Sequence, residues 1–157
     1  MSPLDHAAIA ARIPHAGAMC LLERVLRWDP AQLECLGRAA SLEGSPHPLA
    51  RGGRLPSVAA IEYAAQAMAL HGRLVLEQAG DGAADTPTRG FLAGLRGVRV
   101  RGRWVTAGAT PLRVRVERFA GDALQVLYDF TVEADGPIAS GRAVVVLDAR
   151  GREKVTG

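Results

Sequence analysis

The sequence is short of several things, and each shortage closes a class of function. Two cysteines, Cys20 and Cys35, are too few for a disulfide framework or a thiolate zinc cluster, so no metal is expected. Lysine occurs once, at Lys154, among 19 basic residues, a bias that reads as genome composition rather than chemistry. No glycine-rich loop ends in Lys-Ser/Thr, no Gly-x-Ser-x-Gly or His-Glu-x-x-His occurs, and Gly90, Gly94 and Gly97 do not form a dinucleotide fingerprint. The most apolar stretch, 58–76, is interrupted by Glu62, Gln66, His71 and Arg73, whereas a bilayer span needs about 20 uninterrupted apolar residues. Residues 1–12 lack a basic segment followed by an apolar one, so no secretory signal is expected. The expectation is a cytoplasmic protein, away from membranes, with both thiols reduced.

What is present suits one ordinary domain. A chain of 157 residues buries a real core, and no repeat or linker divides 1–157. Residues 4–12 read as a short helix stopped near Pro14. Residues 19–28 and 32–40 read as strands parted by the turn signal Asp29-Pro30. A Gly/Pro-rich loop covers 44–55, and Pro56 then opens a long helix over about 57–78, where its missing N–H costs nothing. After a polar loop at 79–89 the period changes to two. Val98 and Val100 alternate with Arg99, Arg101 and Arg103, and Leu112, Val114 and Val116 with Arg113, Arg115 and Glu117. Residues 124–132 and 138–147 complete the strands around the turn Asp135-Gly136. One long helix beside a mostly antiparallel sheet is an α+β layer. The helix is apolar nearly all round, which suits a curved sheet wrapped about it.

Glu62 and Gln66 are the informative pair. Four residues apart, they share one helical face amid alanines, Ile61 and Met68. A carboxylate there is costly unless partnered or protonated, which suits acid–base work and equally suits a buried structural network. His47 lies between two prolines just before the helix, as a surface residue or as the imidazole of an acid–base pair with Glu62. The helix start at Ser57 and Val58 offers free backbone N–H groups that would stabilise a developing oxyanion. His71 falls about half a turn round from Glu62 and does not share its site. His15 reads as a turn or packing residue, Tyr63 as core, and Cys20 as a structural thiol.

Seven arginines (96, 99, 101, 103, 113, 115 and 118) fall in a window holding one acid, Glu117. They read as a solvated sheet face, a dock for an acidic protein, or a nucleic-acid surface. The last ranks lowest, because only Trp104 and Phe119 are near for stacking and no RNA-binding motif is present.

Ile13-Pro14-His15 followed by Met19-Cys20-Leu21-Leu22-Glu23-Arg24-Val25 resembles the early segment of hot-dog-fold 3-hydroxyacyl-(acyl carrier protein) dehydratases. His47-Pro48-Leu49 and Leu55-Pro56-Ser57-Val58-Ala59-Ala60-Ile61-Glu62-Tyr63-Ala64-Ala65-Gln66 resemble their active-site loop and central helix. The Ile-Glu-Tyr-x-x-Gln form and the His-Pro-Leu loop are most similar to the ApeP-like branch, found with aryl polyene biosynthesis. The better-known dehydratases carry Gly-His-Phe-Pro and Pro-Gly-Val where this chain has Pro46-His47-Pro48 and Pro56-Ser57-Val58. The resemblance implies a hot-dog fold and a homodimer or heterodimer whose site takes the histidine from one chain and the acid from the other. It implies His47 as the base at C2 and Glu62 as the group that helps protonate or orient the departing hydroxyl. A backbone N–H at Ser57 or Val58 would bind the thioester carbonyl, and Gln66 would hold Glu62. No cofactor is implied beyond the phosphopantetheine of the acyl carrier protein partner. A non-catalytic subunit paired with an active dehydratase and a thioesterase on the same fold are the alternatives.

Overall fold

The computed structural model describes residues 3–15, 17–80, 89–122 and 124–148. Strand β1 (Leu4–Asp5) leads into helix α1 (His6–Ala10). The helix is shorter than expected, because Asp5 is its N-cap, accepting from the Ala8 N–H at 2.9 Å, while Leu4 and Asp5 pair with β2. A 3₁₀ turn at Gly17–Met19 precedes β2 (Leu22–Asp29) and β3 (Gln32–Gly37). A second 3₁₀ turn, Ser57–Ala59, runs into the long helix α2 (Ala60–Gln78). The strands β4 (Arg89–Val100), β5 (Leu112–Gly121), β6 (Gln125–Glu133) and β7 (Pro137–Asp148) follow.

All seven strands form one antiparallel sheet in the order β1-β2-β3-β5-β6-β7-β4. In β5 the apolar side chains Leu112, Val114 and Val116 are fully buried against α2 while the arginines between them face outward, as the alternation requires. The β6–β7 hairpin turns at Asp135 and Gly136, both at positive φ, which is the chemistry of a tight hairpin. Helix α2 packs its Ala60, Tyr63, Ala64, Ala67, Leu70 and Leu74 side onto the sheet. Its other stripe, including Ile61, Ala65 and Ala69, stays half-exposed. The small residues let helix and sheet approach closely.

Strand β4 departs from the sequence reading. It begins at Arg89, ends at Val100, and does not carry Arg101 and Arg103. Register shifts interrupt its pairing with β7, one beside Gly97, whose positive φ fits a bulge. The 89–95 segment lacks alternation because β4 is an edge strand with both faces open, so Phe91, Leu92 and Leu95 are exposed. Of the expected polar loop at 79–89, residues 81–88 lie outside the described residues.

Candidate active site

The first turns of α2 set Glu62 and Gln66 on one face, and Gln66 is fully buried. Its amide group is completely committed. Oε1 accepts from the Leu21 N–H at 2.9 Å, and Nε2 donates to the Met19 carbonyl at 2.8 Å and to Glu62 Oε1 at 3.2 Å. Gln66 therefore fastens the chain before β2 to the helix and steadies the carboxyl in the same stroke. Glu62 has a second close neighbour. His15 Nε2 lies 3.1 Å from the same Oε1, with the two side chains about one-third exposed. The carboxyl group is thus partnered, which answers the cost of placing it among alanines.

His47 occupies a separate network. The Leu49 N–H donates to its Nδ1 at 3.0 Å, so that nitrogen carries a lone pair. Nε2 then carries the proton and donates to the Tyr63 hydroxyl at 2.7 Å, while that hydroxyl donates to the Arg38 carbonyl at 2.7 Å. Burial, and then the nearby Arg38 guanidinium, hold the His47 pKa below the ordinary histidine value, so the ring is neutral. Burial likewise drives the Tyr63 phenol well above its usual range. The Arg38 guanidinium donates to the carbonyls of Ser45 and Pro46 and to Ser45 Oγ, clamping the loop that carries His47. Among the described residues no hydrogen bond joins His47 to Glu62. Glu62 and Tyr63 are sequence neighbours that point about 100° apart on the helix, so one chain turns the two networks to different sides.

At the helix start the Ser57 N–H donates to the Arg103 carbonyl at 2.9 Å, and Ser57 is buried. Val58, 60% exposed, opens the turn to solvent. His71 lies outside this site, as the helical arithmetic requires: its Nε2 donates to the Asp29 carbonyl and its Nδ1 accepts from the Tyr128 hydroxyl, each at 2.8 Å. Cys20 and Cys35 are buried, and burial raises both thiols above their ordinary pKa. Among the described residues no group of three or more His, Cys, Asp or Glu could hold a metal ion, and no helix is long and apolar enough to cross a membrane.

Sequence reasoning misses three contributors. His15 reads as packing, yet it meets Glu62 across 47 residues of chain. Tyr63 is core, as expected, yet its hydroxyl bridges His47 to Arg38. Arg38 carries no motif at all. Of the seven arginines, Arg113 binds Glu34 at 3.1 Å; outside that stretch Arg27 also binds Glu34, at 2.8 Å, and Arg142 binds Asp129 at 3.0 Å. Arg54 and Arg103 instead flank the Trp104 ring.

Comparison with known proteins gives this geometry a context. The dehydratase heterocomplex ApeI:P from Xenorhabdus doucetiae superposes with a TM-score of 0.78 at 23% identity, covering 91% of this chain and 92% of that one. The thioesterase HI1161 from Haemophilus influenzae gives 0.63 at 10% identity over 93% and 92%. A point mutant of the thioesterase PA1618 from Pseudomonas aeruginosa gives 0.59 at 12% over 92% and 94%. At such identities these likenesses show a shared hot-dog fold. The sequence has no match among curated proteins. The family model for ApeP-like proteins, described as ApeP dehydratase, matches residues 7–154. On a match of that extent, the chain belongs to the ApeP-like dehydratase family.

Proposed function

We propose that this protein removes water from 3-hydroxyacyl thioesters carried on the phosphopantetheine arm of an acyl carrier protein, leaving trans-2-enoyl thioesters, in fatty-acid-like or aryl polyene assembly. The observation that carries the reading is the held carboxyl of Glu62. Gln66 Nε2 donates to Oε1 and His15 Nε2 lies 3.1 Å from the same atom, whereas Oε2 makes no hydrogen bond among the described residues, so one oxygen is anchored and the other is free to work. In the reaction an imidazole takes the C2 proton, the C2–H electrons form the C2=C3 double bond, and the C3–O bond breaks. The proton on Glu62 Oε2 goes to the departing hydroxyl, which leaves as water. The Ser57 N–H already serves the Arg103 carbonyl, so the N–H of Val58 is the donor for the thioester oxygen.

The base is His47, supplied to Glu62 by a neighbouring protomer, and its Nδ1 lone pair, held here by the Leu49 N–H, is the one that must be released to take the C2 proton. The edge strand β4, with Phe91, Leu92 and Leu95 exposed, supports the docking of a second hot-dog chain. Arg96 and Arg99, which line a groove beside the Arg142–Asp129 pair, support steering of an acidic carrier.

A second reading is favoured by one observation. Both ring nitrogens of His47 are committed within the chain, to Leu49 and Tyr63. On this reading the chain supplies Glu62 while an unlike dehydratase subunit supplies the imidazole, and the Xenorhabdus relative is a heterocomplex. The test is to incubate the protein with 3-hydroxyacyl carriers of several chain lengths, alone and with a second hot-dog dehydratase, and to follow loss of about 18 mass units, one water, from the acyl chain. Loss in the protein alone, abolished by His47→Ala, supports the first reading. Loss only in the mixture, insensitive to His47→Ala, supports the second. Release of free acid would instead establish a thioesterase, and an unchanged acyl chain in every pairing would refute dehydration.

A further inference from the structure

We propose that His15 is a positioning residue that decides which oxygen of Glu62 carries the proton. The inference rests on the reading of Glu62 as the acid and extends it to a histidine that the dehydratase scheme above does not use.

The geometry is specific. His15 Nε2 and Gln66 Nε2 stand 3.1 and 3.2 Å from one and the same oxygen, Oε1. Gln66 cannot turn away, because the Leu21 N–H and the Met19 carbonyl fix both ends of its amide. Its N–H therefore points at Oε1 permanently. His15 arrives from the other side, on the segment between α1 and the 3₁₀ turn, where buried Ile13 seats the chain. His15 Nδ1 is buried without a partner, which leaves the ring proton to Nε2, so a proton placed on Oε1 would face the Gln66 N–H and the His15 Nε2 edge at 3.2 and 3.1 Å, a like-for-like opposition. The same proton on Oε2 meets neither. Two donors on one oxygen thus assign the acidic proton to the other.

The arrangement also serves the step after transfer. When Oε2–H gives its proton to the leaving hydroxyl, Glu62 is left as a carboxylate. The negative charge then lies beside two preset N–H donors that need no reorganisation to receive it. Gln66 alone supplies one donor and His15 the second. His15 touches the carboxyl rather than the substrate, so its loss bears on turnover rather than on substrate binding.

The experiment compares His15→Ala and His15→Gln with the wild type, in whichever assembly dehydrates, and adds a readout that needs no activity. In His15→Ala, kcat is expected to fall about 10- to 100-fold with KM nearly unchanged, because one charge-receiving donor is gone. His15→Gln presents an amide N–H at comparable reach and is expected to recover kcat to within several-fold. Full turnover in His15→Ala would overturn the proposal. So would a His15→Gln protein that melts like the wild type yet is as slow as His15→Ala. Independently, with histidines labelled with ¹⁵N, the His15 Nε2 resonance is expected to move on Glu62→Gln while that of His71 stays in place. An unmoved His15 signal would deny the contact itself. A wild type inactive in every pairing would refute dehydration and the positioning role of His15 in it, whereas the resonance would still report whether the two side chains pair.

Discussion

Glu62 and Tyr63 sit side by side in the chain and serve opposite networks, and each gives a separate prediction. Glu62→Gln keeps the size of the side chain and removes the acid, so dehydration of a carrier-bound substrate, followed by mass spectrometry, is expected to fall about 10²- to 10⁴-fold while the melting temperature barely moves. Tyr63→Phe deletes the hydroxyl that accepts from His47 and donates to the Arg38 carbonyl. Two buried groups then lose a partner, at a cost of about 1–3 kcal/mol, read as a lower urea midpoint with an unchanged slope. The pairing of Glu62 with Gln66 is legible in the sequence because a four-residue spacing fixes a shared helical face. The His15 contact is not. It depends on Gln66 fastening Met19 and Leu21 to the helix, and no spacing rule connects residues 15 and 62. The Tyr63 hydroxyl escapes for a related reason: periodicity says which way a ring points, not what its polar tip meets.

Among the elements, β3 and α2 meet at a place where only glycine fits. A Cβ on Gly37 would stand 2.7 Å from Tyr63 Cε1 and closer still to Cδ1. Gly37→Ala therefore pushes the tyrosine ring off the strand and strains the His47 network behind it. A loss of about 1–3 kcal/mol in thermal or chemical unfolding is expected, larger than an exposed Gly→Ala change produces. A melting curve identical to the wild type would show that the helix shifts freely on the sheet. The strands illustrate what patterning can and cannot reveal. β5 is legible because one of its faces is buried and the other wet, so Leu, Val and Arg alternate. β4 is misplaced by the same rule, because alternation presumes one covered face and this strand has none over its first half. The split of residues 4–12 into β1 and α1 follows from Asp5 capping the helix late, a preference that competes with pairing to β2.

For the whole molecule, two buried histidines make folding sensitive to acid. His71 and His47 both titrate below the ordinary value, in each case chiefly because burial disfavours the cation. The unfolded chain takes up these protons near pH 6.5, before the folded chain does. Between the unfolded value and the lower folded values the unfolded state binds more protons, so stability rises with pH there. On acidification it is lost from about pH 6.5 downward, by up to roughly 1.4 kcal/mol per pH unit for each histidine. His71→Gln or His71→Asn is expected to flatten that slope in urea melts taken at stepped pH, and an equally steep slope would assign the effect elsewhere. The overall architecture is largely legible, since one long apolar helix and alternating strands leave few ways to build a core. The order of strands is not, because edge and centre differ by pairing partners that lie far apart along the chain. That order has a consequence for solution behaviour. Along one side of β4, alternate amide hydrogens face outward with no neighbouring strand to accept them. In an isolated chain these protons trade with deuterium within the first moments of labelling. Any added strand slows them, so uptake across Arg89–Val100, followed through a dilution series, becomes a gauge of association that requires neither substrate nor assay.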